Sequence, residues 1–424
     1  MNIEKEALAY HGGFPAGKLE VRPTKPIKNS HDLSLAYTPG VGAVCKAIES
    51  NKTAAYQYTS RGNLVAVVTN GTAVLGYGNI GPLAAKPVME GKATLFKKLA
   101  GIDAFDIEIN ERDPEKLVQI VKSLEPTFGG VNLEDIKAPE CFYIEEELQN
   151  QVDIPVMHDD QHGTAVVTSA ALTNALQIAQ KSIGNIKIVV NGAGSGAIAC
   201  AKLLVTMGAK KEGIIMLDSK GVINNERNNL PASKAYFATD NKKISTLTDA
   251  IKGADVFLGL SKADVLTVED VKSMSSNPIV FALANPNPEI KYELAMNSRN
   301  DIIFSTGRSD YHNQVNNTLC FPFLFRGALD VRANVINKEM KLAAVDAIAK
   351  LAHEEVPKQI KDMYSGSLSF GSMYILPKPM DPRLITTVST AVAKAAIQSG
   401  VAKNTISNWA RYEKHLEKIV EICN

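Results

Sequence analysis

The chain has few cysteines and no long apolar run. Its five cysteines are odd in number and scattered, and none is part of a Cys-x-x-Cys pair. This pattern argues against a disulfide framework and against a structural zinc site, and it favours a reducing compartment. No apolar stretch approaches the length of a membrane-spanning helix, and the polar N terminus lacks the apolar core of a secretory signal. We therefore expect a soluble, cytoplasmic protein.

The chain also lacks an excess of charge of either sign. It has 46 Lys and Arg residues against 45 Asp and Glu residues, which leaves a net charge of +1. This balance gives no electrostatic reason to expect nucleic acid or a membrane surface as a partner. At 424 residues, with 45% hydrophobic and 21% charged residues, the chain is long enough for two or three globular domains.

The most informative stretch is residues 186–218, which reads as strand, glycine turn, helix and second strand. A β-branched run at 186–190 leads into the glycine turn, and an apolar helical pattern then extends to a stop signal at Gly208. The second strand, 213–217, ends on Asp218. The turn itself consists of Gly192, Ala193, Gly194, Ser195, Gly196 and Ala197.

This spacing suits a dinucleotide. Gly192 permits a tight turn, Gly194 lets the backbone approach a pyrophosphate, and Ala197 fits where the helix packs on the strand. The start of the helix offers free N–H groups and a positive dipole end to the phosphates. Asp218 is placed to accept the ribose hydroxyls. The alternative is a plain strand-to-helix turn without a ligand.

The strand-and-helix rhythm continues to residue 304. Apolar runs at 186–190, 213–217, 255–259, 278–283 and 301–304 predict five parallel strands, which is enough for a doubly wound sheet. Asn285 follows one of these strands, at the edge where such sheets bind ligands. Asn317 ends a polar loop that precedes an apolar helix.

Carboxylates follow two strands in the first part of the chain. Glu134 and Asp135 come after a predicted strand at 129–133, and Asp160 lies in a polar cluster after another at 153–157. Three carboxylates suit a hard divalent cation such as Mg²⁺ or Mn²⁺, although acids of this kind are more often simply solvated. His158 and His162 lie in the same cluster, but without nearby cysteines or an H-E-x-x-H helix they do not indicate zinc.

Three further features precede those acids. Tyr37 stands beside the turn Thr38-Pro39-Gly40, where a core tyrosine is the ordinary interpretation. A hairpin is predicted over residues 64–75 with Asn70-Gly71 at its tip, followed by a second glycine pattern at 76–81. Lys92 opens a predicted helix over 91–99, so it is either solvated or, against the helix dipole, a candidate for a depressed pKa. A further helix is predicted to follow a cap at Thr164.

Taken together, these motifs resemble those of the malic enzymes over essentially the whole chain. The segments that carry the resemblance are 34–41, 68–76, 87–96, 131–135, 156–164, the glycine turn, 282–286 and 314–317. The resemblance is to the compact bacterial form, which also occurs as the N-terminal part of hybrid proteins with a phosphotransacetylase-like domain behind it. The sequence ends at Asn424, roughly where that domain would begin, so we expect either a stand-alone form or a truncated one.

The resemblance assigns roles to residues that are weak candidates locally. It implies that Tyr37 is a general acid and Lys92 a general base. Glu134, Asp135 and Asp160 would then be metal ligands. The residues implied in cofactor binding are Gly192, Ala193, Gly194, Ser195, Gly196, Ala197, Asp218, Ser219, Lys220, Asn285 and Asn317. In larger members an arginine just before the first glycine cluster binds the substrate carboxylate, and here that position is Ala73.

The implied fold is α/β. We expect an N-terminal catalytic and metal-binding domain over residues 1–160, a Rossmann-like doubly wound NAD(P)-binding domain over 161–385 and C-terminal helices over 386–424. The implied activity is divalent-metal-dependent oxidative decarboxylation of L-malate to pyruvate and CO₂, with decarboxylation of oxaloacetate as a further activity. A homodimer or a higher even oligomer is expected.

The cofactor is the least determined of these expectations. Asp218 favours the free 2′-hydroxyl of NAD, whereas Ser219 and Lys220 could hold the 2′-phosphate of NADP. The sequence Asp-Ser-Lys-Gly resembles NADP-preferring members, so we expect NADP ahead of NAD.

Two other classes of function remain open at this point. One is a regulatory or sensing protein that binds a dinucleotide without chemistry, although Tyr37, Lys92 and the three carboxylates argue against it. The other is a plain malate or amino-acid dehydrogenase that does not decarboxylate. Amino-acid dehydrogenases share the two-domain plan but need no carboxylate metal site.

Overall fold

The structure is a computed structural model that describes residues 3–364 and 368–423. Within these residues the strands form two sheets. The first sheet consists of β1 (Leu64–Thr69), β2 (Asp103–Glu108), β3 (Gly130–Leu133) and β4 (Val156–His158). Its order is β2-β1-β3-β4 and all neighbouring pairs are parallel. The carboxyl ends of β3 and β4 therefore lie side by side.

The helices that accompany the first sheet are α1 (Ile3–Gly12), α2 (Ser30–Ala36), α3 (Val41–Ser50), α4 (Ala55–Tyr58), α5 (Pro82–Ala100), α6 (Pro114–Ser123), α7 (Glu140–Gln151) and α8 (Asp159–Ala179). The α8 helix is the structural centre of the molecule, because fifteen of its residues are buried and its apolar side chains face both sheets. A helix that is apolar on nearly all sides has to be buried in this way.

The second sheet consists of β5 (Ile188–Asn191), β6 (Ile214–Asp218), β7 (Gly221–Val222), β8 (Val256–Gly259), β9 (Ile279–Ala282) and β10 (Ile303–Thr306). Its order is β10-β9-β8-β5-β6-β7, and only the pair of β6 with the short β7 is antiparallel. The five predicted parallel strands are confirmed. The strand order reverses beside β5, which is the switch point where doubly wound sheets bind ligands. The predicted α/β class with a Rossmann-like sheet is confirmed.

The remaining α-helices are α9 (Ser195–Thr206), α10 (Ala232–Ala235), α11 (Leu247–Ile251), α12 (Val268–Ser273), α13 (Tyr292–Ser298), α14 (Phe321–Asp330), α15 (Lys338–Leu351), α16 (Lys358–Met363), α17 (Arg383–Gln398) and α18 (Trp409–Cys423). Short 3₁₀ turns occur at Lys52–Ala54, Ser60–Asn63, Glu125–Thr127, Ile183–Asn185, Lys211–Gly213 and Asn317–Leu319. One continuous cluster of buried apolar side chains joins β1, α5 and α8 to β5, α9, α14, α15 and α17.

Three local predictions in the first half are wrong. The hairpin over 64–75 does not form, because β1 is an inner strand paired with β2 and β3, and Val74 instead closes a tight turn with Gly78. The helix predicted over 91–99 begins earlier, at Pro82, where the missing N–H of proline is not needed. The helix predicted to follow Thr164 begins at Asp159, so the polar cluster forms its first turn.

Residues 3–63, all of which the structure describes, contain no buried side chain. Large apolar side chains are exposed along this segment; they are Ile3, Leu8, Tyr10, Phe14, Leu19, Val21, Ile27, Leu33, Leu35, Tyr37, Val41 and Tyr58. Among the described residues, no helix combines the length and apolar character needed to cross a membrane.

Candidate active site

The two strand ends of the first sheet bring three carboxylates together. Glu134 and Asp135 follow β3, and Asp160 lies in the first turn of α8, directly after β4. One oxygen from each carboxylate lies within 4.8 Å of the others. Asp135 has a φ of 54°, so the chain leaves the strand direction there, and consecutive carboxylates can serve one site.

The electrostatics of this cluster favour a cation. Burial and the neighbouring charges of Asp160 and Glu134 raise the pKa of Asp135 to about 9. Burial likewise raises the pKa of Glu134, and it raises the pKa of Asp160 to about 6. The Oδ2 atom of Asp135 is buried without a hydrogen-bond partner among the described residues. A donor set of three carboxylates without sulfur or imidazole fits Mg²⁺ or Mn²⁺.

Lys92 lies against this cluster. Its Nζ atom is 2.9 Å from Glu134 Oε1 and 2.6 Å from Asp159 Oδ2, and the residue is 7% exposed. Lys92 lies in the middle of α5, so the predicted position at a helix start is wrong. The expected depression of its pKa is also wrong for the chain without a cation. Burial lowers the pKa of Lys92, but the charges of Asp159, Glu134 and Asp160 together outweigh burial and raise it.

Asp159 is a functional candidate that the sequence analysis missed. It is fully buried, and one carboxylate oxygen accepts hydrogen bonds from Lys92 Nζ and from the side-chain amide of Asn317. Burial raises its pKa to about 6. Asp159 therefore joins Lys92 to Asn317, a predicted substrate or nicotinamide contact. Its position beside Asp160 in one acidic pair was the available sequence signal.

A second buried network supports the first turn of α8 from behind. Glu145 on α7 accepts hydrogen bonds from the backbone N–H of His158 and from the side chains of Gln161 and His162. Burial acts to raise the pKa of Glu145. The charge of His162 is the strongest of the influences that outweigh burial and lower this pKa to about 2. Lys341 lies 3.1 Å from the other ring nitrogen of His162. His162 is thus part of a structural network, consistent with the argument against zinc.

The glycine turn adopts the geometry that its spacing predicts. Gly192 has a φ of 127°, and a Cβ there would lie 2.4 Å from the carbonyl oxygen of Leu260. The space at Gly194 is open, and α9 begins directly after it without a side-chain cap, so its first N–H groups face that space. Together with Ala193, Asp218 and Ser219 these residues line a cavity of about 570 Å³. The cavity and the free N–H groups fit a dinucleotide.

The two halves of the site meet at glycines. A Cβ on Gly196 would lie 3.0 Å from the backbone oxygen of Asp160, so the nucleotide turn adjoins the carboxylate cluster. A Cβ on Gly76 would lie 2.6 Å from the backbone oxygen of Asn285. The second glycine pattern therefore allows the two domains to approach each other at Asn285. Unlike the glycine turn after β5, this second glycine pattern does not join a strand directly to a helix, because β1 ends at Thr69 and α5 begins at Pro82.

Asp218 is not a free carboxylate. Its two oxygens accept hydrogen bonds from Arg227 Nη1 and Nη2 at 3.0 and 2.8 Å, and Lys234 Nζ lies 3.2 Å from Oδ2. The role of Asp218 as an acceptor for the ribose hydroxyls stays a prediction. Ser219 lines the cavity, whereas the side chain of Lys220 is exposed and its backbone N–H donates to Asp218 at 2.9 Å. Arg227 and Lys234 were not identified from the sequence.

Tyr37 lies apart from the other candidates within this chain. It follows α2 at an exposed position, with 70% of its surface accessible. Among the described residues, no hydrogen bond or ion pair joins Tyr37 to Lys92 or to the carboxylates.

The comparisons with known proteins match the chain in two parts, one around each sheet. Residues 16–149 match the family model "Malic enzyme, N-terminal domain", and residues 161–366 match "Malic enzyme, NAD binding domain". The NADP-dependent malic enzyme of Salmonella typhimurium is 56% identical over all of this chain, which covers 56% of that relative. The NAD-dependent malic enzyme of Rhizobium meliloti is 54% identical over 99% of this chain, which covers 54% of that relative. The chain thus spans just over half the length of these relatives.

A solved structure agrees along nearly its whole length. The malic enzyme from Pyrococcus horikoshii is 41% identical, with a TM-score of 0.90 over 99% of this chain and 96% of that one. This similarity extends over both sheets and the C-terminal helices, and it accompanies two matching family models. The chain belongs to the malic enzyme family.

Proposed function

We propose that the chain catalyses the oxidative decarboxylation of L-malate to pyruvate and CO₂ with reduction of NADP⁺ or NAD⁺. The observation that carries this proposal is the buried contact of Lys92 with Glu134 and Asp159, beside a three-carboxylate cluster that adjoins the nucleotide turn. Hydride transfer and decarboxylation of one small acid require these elements within one site.

Glu134, Asp135 and Asp160 would hold Mg²⁺ or Mn²⁺. When bound, the dication polarises the C2 oxygen and stabilises the negative charge that develops there during decarboxylation. The three acids would be fully ionised in this state, because metal ligands must be deprotonated. The chain's contribution is to fix these ligands on two strand ends and one helix start, so that little reorganisation is needed.

Lys92 would accept the proton of the C2 hydroxyl. A lysine can act as a base only when it is neutral, and the surrounding carboxylates hold Lys92 in its charged form. Positive charge in the cluster would offset that influence and bring the lysine nearer to its working state. Asp159 would orient the ammonium, and Asn317 would orient the carboxylate of malate or the nicotinamide amide on the same side.

Tyr37 would protonate C3 at the end of the reaction. Because Tyr37 is exposed and lies apart from Lys92, we propose that it acts at the cluster of a second copy, within a homodimer or a higher even oligomer. The exposed apolar side chains of residues 3–63 support this proposal, since such a surface requires a partner. The same site should also decarboxylate oxaloacetate, because that half of the reaction requires no hydride transfer.

We further propose a cytoplasmic location. Cys45, Cys141, Cys200 and Cys320, whose side chains the structure describes, are free thiols. Free, scattered thiols suit a reducing compartment.

The test is a turnover assay with malate, Mn²⁺ and each nicotinamide nucleotide, with CO₂ release and nucleotide reduction measured together. We expect equal amounts of CO₂ and reduced nucleotide, and no turnover in the presence of a strong chelator. Nucleotide reduction without CO₂ would indicate a plain dehydrogenase. Nucleotide binding without either product would indicate a sensing protein.

A further inference from the structure

A second cavity lies among α7, α8, α9, α10 and α15. Its volume is about 760 Å³, and among the described residues it shares no lining side chain with the nucleotide cavity. Its charged lining residues are three lysines and two glutamates, so positive charge is in excess; they are Lys202, Lys338, Lys341, Glu145 and Glu146. The function proposed above makes no use of this cavity.

Lys341 brings to the second cavity an ammonium that is short of acceptors. Its Nζ atom lies 3.1 Å from Nδ1 of His162, which is its one hydrogen-bond partner among the described residues. An ammonium has three N–H donors, so two remain for another acceptor. Burial lowers the pKa of Lys341, and the charge of Glu145, the strongest opposing influence, does not outweigh burial. A bound anion would supply both the missing acceptor and the missing counter-charge.

The existing glutamate of the cavity is engaged elsewhere. One oxygen of Glu145 accepts from the backbone N–H of His158, and the other lies 3.0 Å from Nε2 of His162. His158 directly precedes α8, whose first turn holds Asp160. A ligand on Lys341 would therefore be connected through His162 and Glu145 to the helix start that carries one of the proposed metal ligands.

The rest of the lining favours a carbon skeleton. Apolar and aromatic side chains from three helices and the α10 segment face the cavity, among them Phe142, Tyr143, Ile198, Leu203 and Tyr236. Sites for small organic molecules combine such a lining with a few polar groups that fix orientation. The second cavity therefore suits an organic anion better than a hydrated inorganic ion.

We propose that the second cavity binds an organic anion, with its acidic group on Lys341 and its carbon skeleton against the aromatic lining, and that this ligand is an effector of the metal site. Carboxylates and phosphates share the chemistry that a buried ammonium recognises. Binding itself needs neither malate nor nucleotide, so it goes beyond the proposed function. The effector role rests on the metal site of that proposed function.

The first test measures binding without turnover. The full chain is titrated calorimetrically with 3-phenylpropionate, with 2-phenylethyl phosphate and with the neutral 3-phenylpropionamide. At least one anion should bind more tightly than the amide, and the tighter anion identifies the acidic group as carboxylate or phosphate. Lys341→Met removes the charge and should weaken that anion roughly 10-fold or more. Lys350→Met, at an exposed position on the same helix, is the matched control and should leave binding unchanged.

A second variant locates the ligand without altering Lys341. Thr206 lines the cavity at an exposed position at the end of α9, so Thr206→Trp should fill the cavity and block the anion at little cost to folding. Urea denaturation verifies that each variant is folded. Anion binding that neither Lys341→Met nor Thr206→Trp weakens would overturn the proposal, as would displacement of the anion by 5′-AMP, because the anion would then occupy another site. Absence of binding by both anions at millimolar concentration would also overturn it.

The effector role is tested by titrating Mn²⁺ with and without a saturating concentration of the tighter anion. A coupling between two sites typically changes affinity about 5-fold or more, so the Kd of Mn²⁺ should change by at least that factor in the wild-type chain. In Lys341→Met the anion should have no effect on Mn²⁺. An unchanged Kd of Mn²⁺ beside a bound anion would overturn the effector role. If Mn²⁺ does not bind even without the anion, the metal site of the proposed function fails and the effector role fails with it, whereas the anion site is decided by the first test alone.

Discussion

Lys92 is surrounded by negative charge contributed by α8 and by the end of β3. Its two direct partners, Glu134 and Asp159, lie within 2.9 Å of its ammonium. In this setting the charged form is strongly favoured, so the lysine and the cation site form one electrostatic unit. The role of Lys92 as a base thus depends on the charge state of the carboxylates.

The proton-transfer roles of Lys92 and Tyr37 can be separated by partial reactions. Removal of a positioned acid or base typically costs about 10²- to 10⁴-fold in rate, so Lys92→Ala and Tyr37→Phe should both be nearly inactive in the overall reaction. Tyr37→Phe should still reduce supplied oxaloacetate with reduced nucleotide, because that step does not protonate carbon. Lys92→Ala should not, because it cannot return the proton to the C2 oxygen. The measurement is nucleotide oxidation at 340 nm in the presence of oxaloacetate.

The control for Lys92→Ala is Lys97→Ala, which removes a half-exposed lysine from the same helix. It should retain both reactions. If Lys92→Ala and Tyr37→Phe lose both partial reactions equally, the two residues act as one coupled relay and the division of roles is wrong.

The carboxylate cluster makes stability depend on pH in a definite direction. The ordinary pKa of an aspartate is 3.8, whereas the pKa of Asp135 is raised to about 9 and that of Asp160 to about 6 by burial, the largest cause in each case. Between the ordinary pKa of 3.8 and the raised pKa of each group, the folded chain keeps a proton that the unfolded chain has lost. The contribution of these two carboxylates to the free energy of unfolding of the chain without metal should therefore fall as pH rises from about 4 to about 9. Below about pH 6.5 the buried His158 and His162 oppose it, because burial lowers their pKa values. Urea denaturation of wild type and Asp135→Asn across this range measures the carboxylate contribution as the difference between the two.

Metal binding should remove this dependence and release protons. A dication requires the ionised carboxylates, so binding of Mn²⁺ at pH 7 should release roughly one proton or more per site. Calorimetry in two buffers of different ionisation enthalpy measures that number. Asp135→Asn should abolish most of the release, whereas Asp346→Asn, an exposed acid on α15, should leave it unchanged. Release equal to zero in the wild-type chain would contradict the assignment of these ligands.

At the level of elements, the sequence predicts what is set by local pattern. All five parallel strands of the second sheet follow from apolar runs. Some helix starts are fixed by equally local side-chain caps. Asp113 caps α6, Thr267 forms a capping box at α12, and Asn337 caps α15. These features depend on neighbours three or four residues away, which periodicity and side-chain type report directly.

The sequence did not predict features set by pairing over long distances. The hairpin signal at Asn70-Gly71 is strong locally, but the pairing of β1 with β2 and β3 on both sides prevents it. The contact of Lys92 with Asp159 joins positions 67 residues apart. The three carboxylates follow two predicted strands, but locally they were weak candidates, and their assignment as metal ligands came from the resemblance to the malic enzymes. Asp159, Arg227 and Lys234 were not identified, because their contacts appear only in the packed structure.

Glu289 is a further residue whose role appears only in the packed structure. It connects the ends of β8 and β9. It is 0% exposed, and its two carboxylate oxygens accept hydrogen bonds from the backbone N–H groups of Ser261 and Ala284 at 3.1 and 3.0 Å. These groups follow β8 and β9, next to the nucleotide cavity and Asn285. A Cβ on Gly259 would lie 2.4 Å from the carboxylate carbon, so this glycine provides room for Glu289.

Replacement of Glu289 by glutamine should destabilise the chain and weaken nucleotide binding. The amide presents N–H to one of the two backbone N–H groups, and an unsatisfied buried donor costs about 1–3 kcal/mol. Urea denaturation should show a lower midpoint with an unchanged slope, and KM for the nucleotide should rise more than kcat falls.

Glu269→Gln, at an exposed position on α12, is the matched control and should change neither quantity. Gly259→Ala should reproduce the effect of Glu289→Gln, because its methyl group displaces the same carboxylate. A fully stable Glu289→Gln with normal KM would refute this role.

At the scale of the whole molecule, the N-terminal segment is the part whose apolar side chains are not matched by burial. Residues 3–63 carry many large apolar side chains, yet none of these residues is buried within the chain. The rest of the described chain has extensive cores around both sheets. An apolar surface of this extent is typical of an interface, and a two-fold axis would give each copy the same contact. Tyr37 lies within this segment, so such an assembly would also bring this proposed general acid to the carboxylate cluster of the partner chain.

Mixed oligomers test whether Tyr37 acts between chains. Tyr37→Phe and Lys92→Ala chains are each expected to be inactive alone. If the acid comes from the partner, a hybrid dimer of the two contains one site with an intact Lys92 and an intact Tyr37. Random pairing should then restore about a quarter of wild-type malate turnover, because half of the dimers are hybrids and each hybrid has one complete site. Co-expression with two affinity tags isolates the hybrid, and light scattering verifies its size. If the acid acts within its own chain, the hybrid contains no complete site and should be as inactive as its parents.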